Sequence, residues 1–333
     1  MSFDIHNRRY TGSKYKLLSW INENITNYNH KSFVDIFAGT GIVSASLVEK
    51  FDEITVNDFL FSNFIMYQAF FGKGRYSKNK INAYVEQYNN LSLKKNENYF
   101  SKAYGGKFFS THDAYKIGII RQDIEDNKKN LSSKEYFIML ASLMYSSDKI
   151  ANTVGHYDAY RKKIKLMDKF KFRLIEPINH NVKFNIYQKD ANSLIKSINA
   201  DVLYVDPPYN SRQYSRFYHV LENLATWSKP ELFGTARKPE PSVSTTSSYC
   251  KTEAFSKLKD LIESANSKLI ILSYNNTYNS KSASSRNKIS LDQIELIMRL
   301  KGKTKIIEKQ FSNFNAGKTD FSDHKEFLFI TET

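Results

Sequence analysis

The chain has 333 residues, 41% hydrophobic and 25% charged, and is long enough to bury its own core. Its 49 Lys and Arg exceed its 34 Asp and Glu by 15, a surplus that favours nucleic acid as a partner, although an AT-rich genome also enriches lysine. One cysteine, Cys250, excludes an internal disulfide and a cysteine zinc cluster, and without a signal peptide or an apolar run of about 20 residues we expect a cytoplasmic protein.

Seven short runs of β-branched and aromatic residues predict buried strands. They lie at 33–37, 54–57, 184–187, 202–205, 269–273, 305–310 and 326–331. Helical patterns separate most of these runs, as the βαβ units of a mainly parallel sheet require. The second and third runs are too far apart for a loop, so an inserted, mainly helical domain is predicted between them. The predicted division is a catalytic domain at 1–58 and 183–333, with the insertion at 59–182.

The insertion carries two clear helical patterns and one basic cluster. Residues 111–127 place Ile117, Ile120 and Ile124 at helical spacing, and residues 132–150 open with a serine that can cap a helix. The basic cluster at 161–173 fits DNA contact or, alternatively, a solvated helix face. Beyond the insertion, residues 229–249 are rich in Pro, Ser and Thr and are predicted to form a mobile loop.

Two segments near the amino terminus suit a bound ligand. In Tyr10-Thr11-Gly12-Ser13-Lys14, the lysine beside a glycine bend can pair with a ligand carboxylate, although the segment is equally a helix start. Asp35-Ile36-Phe37-Ala38-Gly39-Thr40-Gly41 ends the first strand, and its glycines let the backbone approach a cofactor. It is neither a P-loop nor a dinucleotide fingerprint, since no Gly-Lys-Ser/Thr follows and Ser44 takes the third glycine position. A plain tight turn remains the alternative, but a buried Asp35 needs a cationic partner.

Two further aspartates each follow a strand. Asp58 ends the second strand, where a carboxylate can accept both hydroxyls of a ribose, or can simply belong to a strand-terminal turn. Asp190 follows the third strand and can accept from an adenine amino group, or cap the helix that begins near Ala191.

The strongest signal is Asp206-Pro207-Pro208-Tyr209, directly after an apolar strand. At the carboxyl edge of a parallel sheet, where ligands bind, the Asp offers an acceptor and the prolines offer carbonyls without N–H donors. Tyr209 adds an aromatic face. Together they suit a planar base with an amino group, whereas the alternative is a proline-rich turn that ends the strand.

The order of these segments along the chain resembles that of the Dam-like class of adenine-N6 DNA methyltransferases. The resemblance covers nearly the whole chain and includes the closing segment Lys325-Glu326-Phe327-Leu328-Phe329-Ile330. The resemblance implies an α/β fold with a seven-stranded, Rossmann-like S-adenosylmethionine-dependent methyltransferase sheet, a reversed final strand and a target-recognition domain in the insertion. Residues 151–160 resemble members from type II restriction–modification systems. The implied S-adenosylmethionine pocket is Tyr10, Lys14, Asp35, Phe37, Gly39, Asp58, Asp190 and Asp206, and the implied adenine site is Asp206, Pro207 and Tyr209.

The implied reaction is direct methyl transfer to N6 of an adenine flipped out of double-stranded DNA, without a metal or a covalent enzyme intermediate. Arg212, Tyr214, Arg216, Arg161, Lys162 and Lys163 are the candidate DNA contacts. Phe217, Leu221 and Leu224 are instead predicted to pack a helix into the core. We expect a monomer that protects host DNA beside a cognate restriction endonuclease. An RNA adenine methyltransferase, or a DNA-binding protein with a vestigial cofactor pocket, are the alternatives.

Overall fold

The computed structural model describes residues 5, 8–26, 30–94, 96–242, 245–277, 286–310 and 324–333. Internal contacts divide the chain into two compact units. The sheet unit comprises Lys14–Phe59, His180–Gln213 and Ser244–Thr333, and the helical unit comprises Met1–Ser13, Leu60–Asn179 and Tyr214–Val243. Within the described part of the chain, every helix is too short or too polar to cross a membrane.

Seven strands form one sheet in the order β3-β2-β1-β4-β5-β7-β6. They are β1 (Ser32–Asp35), β2 (Glu53–Asn57), β3 (Lys183–Tyr187), β4 (Asn199–Val205), β5 (Asn266–Asn275), β6 (Lys303–Gln310) and β7 (Lys325–Glu332). The pairs among β1 to β5 are parallel, whereas β7 runs antiparallel to both β5 and β6. The predicted seven-stranded α/β sheet with a reversed final strand is therefore confirmed.

The described helices follow the predicted alternation with the strands. They are α1 (Leu18–Thr26), α2 (Ile42–Ser46), α3 (Phe61–Phe70), α4 (Lys78–Asn89), α5 (Tyr99–Tyr104), α6 (Thr111–Asp126), α7 (Ser133–Ile150), α8 (Ala191–Ile195), α9 (Tyr214–Phe217), α10 (His219–Thr226), α11 (Ala254–Ser264) and α12 (Leu291–Lys301). Helices α1, α2, α8, α11 and α12 belong to the sheet unit, and the others belong to the helical unit.

The direction of the strands decides which residues meet in the sheet unit. Strands β1, β2, β4 and β5 all end at the same side of the sheet, which we call the carboxyl edge. Because β7 is antiparallel, it begins at that edge, and Glu326 pairs with Asn275 at the end of β5. The carboxyl edge therefore collects the residues that follow the parallel strands together with the first residues of β7.

Burial explains why the strands were recognisable. Val202, Leu203, Tyr204 and Val205 of β4 are all at most 1% exposed, because helices or loops cover both faces of a central parallel strand. Such a strand appears in the sequence as a continuous apolar run rather than as an alternating one. The core of the sheet unit is built from these residues and from the apolar faces of α8, α11 and α12.

The helical unit has its own apolar core. Helix α7 begins with a capping box in which Ser132 accepts from the Glu135 backbone and Glu135 accepts from the Ser132 backbone. The three isoleucines predicted for the buried face of α6 are fully buried. Phe217, Leu221 and Leu224 also lie in this core, which confirms their predicted packing role.

The basic cluster at 161–173 forms no helix, which contradicts its interpretation as a solvated helix face. Side chains on the neighbouring helices bind its backbone instead. Both oxygens of Asp113 accept hydrogen bonds from it, at 2.8 Å from the Lys169 N–H and at 3.2 Å from the Phe170 N–H. The interpretation as a solvated helix face is therefore wrong, while the exposure of the basic side chains is as expected.

The helical unit contains most of the predicted insertion together with two further segments of the chain. The helical unit contains residues 60–179, close to the predicted insertion at 59–182. It also contains residues 1–13 and 214–243, which the sequence division assigned to the catalytic domain. Residues 229–249 hold no strand or α-helix where they are described, and their mobility stays a prediction.

Candidate active site

The glycine loop after β1 is held against the end of β2. Gly39 and Gly41 have φ values of 54° and 77°, a left-handed conformation that residues with a Cβ adopt at a cost. The Gly39 N–H donates to Oδ2 of Asp58 at 3.0 Å, and the Ala38 N–H donates to the Asn57 carbonyl at 2.8 Å. The loop and the Asp58 carboxylate are therefore fixed relative to each other before any ligand binds.

Asp35, at the end of β1, is a buried carboxylate that is only half satisfied. Its Oδ2 accepts from the Ser44 hydroxyl at 2.9 Å, and its Oδ1 has no hydrogen-bond partner among the described residues. Burial raises the pKa of Asp35 to about 8; the Ser44 hydrogen bond opposes this, and the charges of Asp206 and Asp58 add to it. An unpaired acceptor in such a place is stabilised by a cation with N–H donors.

Asp190 and Phe37 have local roles in the structure. Asp190 caps α8, since its Oδ1 accepts from the Ser193 N–H at 2.9 Å, as the capping interpretation predicted. The side chain is exposed, and its predicted contact with S-adenosylmethionine stays a prediction. The Phe37 ring packs edge-on against Tyr249 with the ring centres 4.9 Å apart.

Four side chains meet at the carboxyl edge around Asp206. Lys14 Nζ lies 2.9 Å from Oδ1 of Asp206, 2.7 Å from the Tyr209 hydroxyl and 3.2 Å from Oε1 of Glu326. The Tyr209 hydroxyl lies 2.5 Å from Oδ1 of Asp206 and 2.8 Å from Oε1 of Glu326. The sequence predicted a ligand carboxylate as the partner of Lys14, but in the structure its ammonium pairs with two carboxylates of the chain itself.

The charges in this cluster shift one another. Burial works to lower the pKa of Lys14, but the carboxylates of Asp206 and Glu326 outweigh it and the pKa is raised. Burial raises the pKa of Asp206; Lys14 lowers it, and the charge of Glu326 raises it. Lys14 is therefore held as an ammonium ion between the two carboxylates.

Asp206 and Pro207 leave two acceptors without a partner in the described structure. Both protein donors that reach Asp206 use Oδ1, so Oδ2 accepts none of the described hydrogen bonds. The Asp206 side chain keeps 17% of its surface exposed. No described donor reaches the Pro207 carbonyl, and the proline nitrogens offer no N–H. This loop therefore presents acceptors, as the amino group of a base requires.

The Tyr209 ring is packed as well as hydrogen-bonded. Its centre lies 4.4 Å from that of Tyr274, and Lys14 Nζ lies 4.9 Å from it. The ring is therefore held firmly in place. Its predicted stacking on adenine stays a prediction.

The remaining candidate residues lie elsewhere in their units. In the helical unit, Tyr10 stacks on Tyr218 with centres 4.9 Å apart and planes 4° from parallel, and it also packs on Tyr214. In the same unit, Arg216 and residues 161–163 are exposed. In the sheet unit, Arg212 is half-buried, and its carbonyl accepts from the Cys250 thiol at 3.3 Å.

Glu326 belongs to the closing segment that resembles the family, but no motif in the sequence indicates a role for its side chain. The available signal was an acidic residue at the start of the mainly apolar run 326–331. In the structure its side chain is 3% exposed and accepts hydrogen bonds from Tyr209 and Ser273. A strand pattern alone does not distinguish a buried acid of this kind from one at the exposed end of a strand.

The sheet topology, the glycine loop and the acceptor loop after β4 define an α/β methyltransferase. Residues 10–276 match the family model of the D12 class N6 adenine-specific DNA methyltransferases, and the chain belongs to this family. Membership implies DNA as the substrate and S-adenosylmethionine as the methyl donor. The predicted family and enzyme class, with N6 of adenine in DNA as the methylated group, are thereby confirmed, and the RNA alternative is not retained.

Similar proteins include type II modification enzymes. The type II methyltransferase M.NlaIII of Neisseria lactamica is 31% identical over 343 residues, covering 97% of this chain and 98% of that protein. M.CviAII of Paramecium bursaria Chlorella virus 1 is 30% identical, with 96% and 97% covered. The modification methylase StsI of Streptococcus sanguinis is 34% identical over 80% of this chain, which spans only 44% of that protein. The chain is thus homologous to type II restriction–modification methyltransferases.

Proposed function

We propose that the chain methylates N6 of one adenine, flipped out of duplex DNA, within a short recognition sequence. The observation that carries this proposal is that the two oxygens of the Asp206 carboxylate have different surroundings. Oδ1 is held by Lys14 and Tyr209, and Oδ2 remains available as an acceptor. A carboxylate fixed through one oxygen can direct the other at a substrate without paying to reorganise during the reaction.

The two acceptors match what adenine needs for this reaction. The lone pair of the N6 amino group is delocalised into the ring, which makes the nitrogen a poor nucleophile. Hydrogen bonds from its two N–H groups to Asp206 Oδ2 and the Pro207 carbonyl would localise that pair on N6. S-adenosylmethionine, when bound, supplies a methyl group on a positively charged sulfur, so that methyl transfer moves positive charge onto N6. The Asp206 carboxylate is placed to stabilise that charge and to accept the proton that N6 loses.

The residues around the glycine loop fit S-adenosylmethionine. None of the described residues donates to Oδ1 of Asp35, and the ammonium of the methionine portion would supply a donor. Gly39 and Gly41 leave room for close approach of the ligand to the backbone, and Asp58 stands beside them to accept from the ribose. We keep Tyr10, Lys14, Phe37 and Asp190 as predicted members of the pocket, with Lys14 assigned to the Asp206 side.

Flipping the base costs a few kcal/mol, because pairing and stacking are lost. Stacking of the extruded adenine on Tyr209 would return about 1–3 kcal/mol of this. The hydroxyl of Tyr209 is bound to Asp206 and Glu326, so the ring cannot swing away. A fixed ring loses little conformational entropy when the base arrives.

The helical unit offers a surface that suits DNA, which supports its role in target recognition. A cavity of about 230 Å³ lies within this unit, with Arg9, Arg161, Lys165 and Lys169 in its lining. Met167, also in the lining, is a large apolar side chain that is 58% exposed. Basic side chains suit phosphates, and apolar side chains suit bases and sugars. Residues 161–163 remain candidates for phosphate contact.

The test is expression in a host that lacks DNA methylation, followed by mapping of N6-methyladenine across the host genome. One enriched short sequence is expected, and Asp206→Ala should abolish the signal. With purified protein, we expect turnover to fall about 100-fold or more, the scale of losing a transition-state hydrogen bond, while S-adenosylmethionine and DNA binding change far less. Asp292→Asn, at an exposed position in the first turn of α12, is the control. Wild-type turnover of the Asp206 variant would remove the catalytic assignment.

The role in a cell is a further part of the proposal. Homology to type II methyltransferases supports protection of host DNA beside a cognate endonuclease that recognises the same sequence. We also propose that one chain acts as a monomer. Sedimentation with and without a DNA duplex carrying the mapped sequence tests this, and a 2:1 complex at saturation would contradict it.

A further inference from the structure

Glu326 occupies an unusual place for an acidic residue. It is the second residue of β7, and β7 is paired on both sides, with Asn275 of β5 and Lys309 of β6 opposite Glu326. Its side chain is 3% exposed. A buried carboxylate is costly unless donors surround it, so its neighbours indicate what it does.

Three polar groups surround a single oxygen of Glu326, and the one proton of the Tyr209 hydroxyl is shared between this oxygen and Oδ1 of Asp206. Oε1 lies 2.8 Å from the Tyr209 hydroxyl, 2.8 Å from the Ser273 hydroxyl and 3.2 Å from Lys14 Nζ. Two of these groups, Lys14 and Tyr209, also contact Oδ1 of Asp206. Glu326 and Asp206 therefore share two partners, and neither carboxylate can move without disturbing the other.

We propose that Glu326 is a positioning residue for methyl transfer, which holds Lys14 and Tyr209 in contact with one oxygen of Asp206 and supplies the net negative charge of the site. This inference rests on the proposed role of Asp206. Glu326 does not touch the adenine in this scheme. It acts through Lys14 and Tyr209, each of which contacts both Oε1 of Glu326 and Oδ1 of Asp206.

The charge count explains why an acid is needed at this position. Asp206 and Lys14 alone form a neutral pair, in which the ammonium offsets part of the attraction of the Asp206 carboxylate for the positive charge that develops on N6. With Glu326 the cluster holds two carboxylates and one ammonium, and so it is net negative. A fixed negative charge near developing positive charge lowers the barrier, most of all in a site with little water.

The proposal predicts how the pH dependence of turnover changes when the charge of Glu326 is removed. Asp206 and Lys14 lie among Glu326, Asp35, Tyr204 and Tyr209, and the charge of Glu326 raises the pKa of both Asp206 and Lys14. Removing that charge lowers both pKa values. Both the acidic and the basic limb of the turnover profile should then move toward lower pH, which loss of packing alone would not produce.

The experiment compares Glu326→Gln with Glu332→Gln, which changes the same residue type at the exposed far end of β7. We expect Glu326→Gln to lower kcat about tenfold or more, the scale of losing one hydrogen bond to a charged group, with KM for DNA and S-adenosylmethionine nearly unchanged. Both limbs of its pH profile should move to lower pH, and Glu332→Gln should resemble the wild type. An unchanged kcat with unmoved limbs would overturn the proposal.

Two further variants guard against simple misfolding. Glu326→Asp keeps the charge, so it should restore both limbs of the pH profile to their wild-type positions even if its kcat stays low. Lys14→Met combined with Glu326→Gln should be no slower than Lys14→Met alone, because without the ammonium the Asp206 carboxylate by itself keeps the site net negative. Losses that multiply in the double variant would overturn the proposal. If Asp206→Ala also keeps full turnover, the proposed catalytic site fails as a whole rather than the role of Glu326 alone.

Discussion

Asp35 couples the binding of S-adenosylmethionine to pH. With its pKa raised to about 8 by burial, about 90% of Asp35 is protonated at pH 7 before the ligand binds. An ammonium group binds the ionised form, so binding must expel the proton. Affinity should therefore rise about tenfold for each pH unit between pH 6 and 7, and the rise should stop near pH 8, where α-amino groups of about the same pKa lose their own charge.

Calorimetric titration at several pH values measures both quantities in this prediction. Repeating each titration in two buffers with different ionisation heats gives the number of protons released. It should be about 0.8 per ligand at pH 7, because Asp35 loses about 0.9 proton and the α-amino group of the ligand gains about 0.1. Asp35→Asn should bind more weakly and lose the pH dependence, while the exposed Asp292→Asn keeps it. A wild-type affinity that is flat between pH 6 and 7, with no proton released, would refute the assignment of Asp35 to a cationic group of the ligand.

The remaining predictions concern stability, the cofactor and DNA. Because the folded-state pKa of Asp35 lies above its ordinary 3.8, stability without ligand should fall as pH rises from about 4 through 8, and thermal denaturation of Asp35→Asn should lack this trend. Asp58→Ala should weaken S-adenosylmethionine binding in calorimetry, whereas Lys14→Ala should mainly lower turnover, since its ammonium contacts Asp206; the opposite pattern would return Lys14 to the methionine carboxylate. Alanine at residues 161–163 should flatten the salt dependence of DNA affinity by about 0.9 in log–log slope for each phosphate that the variant no longer neutralises. The charge-matched control replaces lysines of the sheet unit, Lys259, Lys303 and Lys305, and an equal change in both sets would remove 161–163 from the interface.

The sheet was predictable because its signal is local. A central parallel strand is buried on both faces, so β4 appears as an apolar run bounded by polar residues. The ends were less predictable, as β5 shows: it runs from Asn266 to Asn275, beyond the predicted 269–273. Its outer residues stay in the ladder because β4 and β7 pair with them, which the composition of β5 does not reveal.

The basic cluster was less accessible to prediction because distant side chains determine its conformation. Asp113 binds the backbone of Lys169 and Phe170 across 56 and 57 residues, and Ser142 binds the Ile175 N–H across 33. A charge run read by itself is consistent with a helix or a loop. Only the fold of α6 and α7 brings these acceptors to the segment and selects the irregular backbone.

The partners of Lys14 follow from strand direction rather than from any motif. Lys14 and Asp206 are 192 residues apart, and Tyr209 and Glu326 are 117 apart, so no window of sequence contains either pair. If β7 ran parallel to β5, its first residues would lie at the opposite edge of the sheet, and Glu326 could not reach Tyr209. The reversed strand places an acid there, and that second carboxylate makes it favourable for Lys14 to stay charged and turned toward Asp206. Motif order predicts Asp206 as the centre of the site, whereas the antiparallel pairing of β7 brings Glu326 to it, the residue that we propose completes its charge.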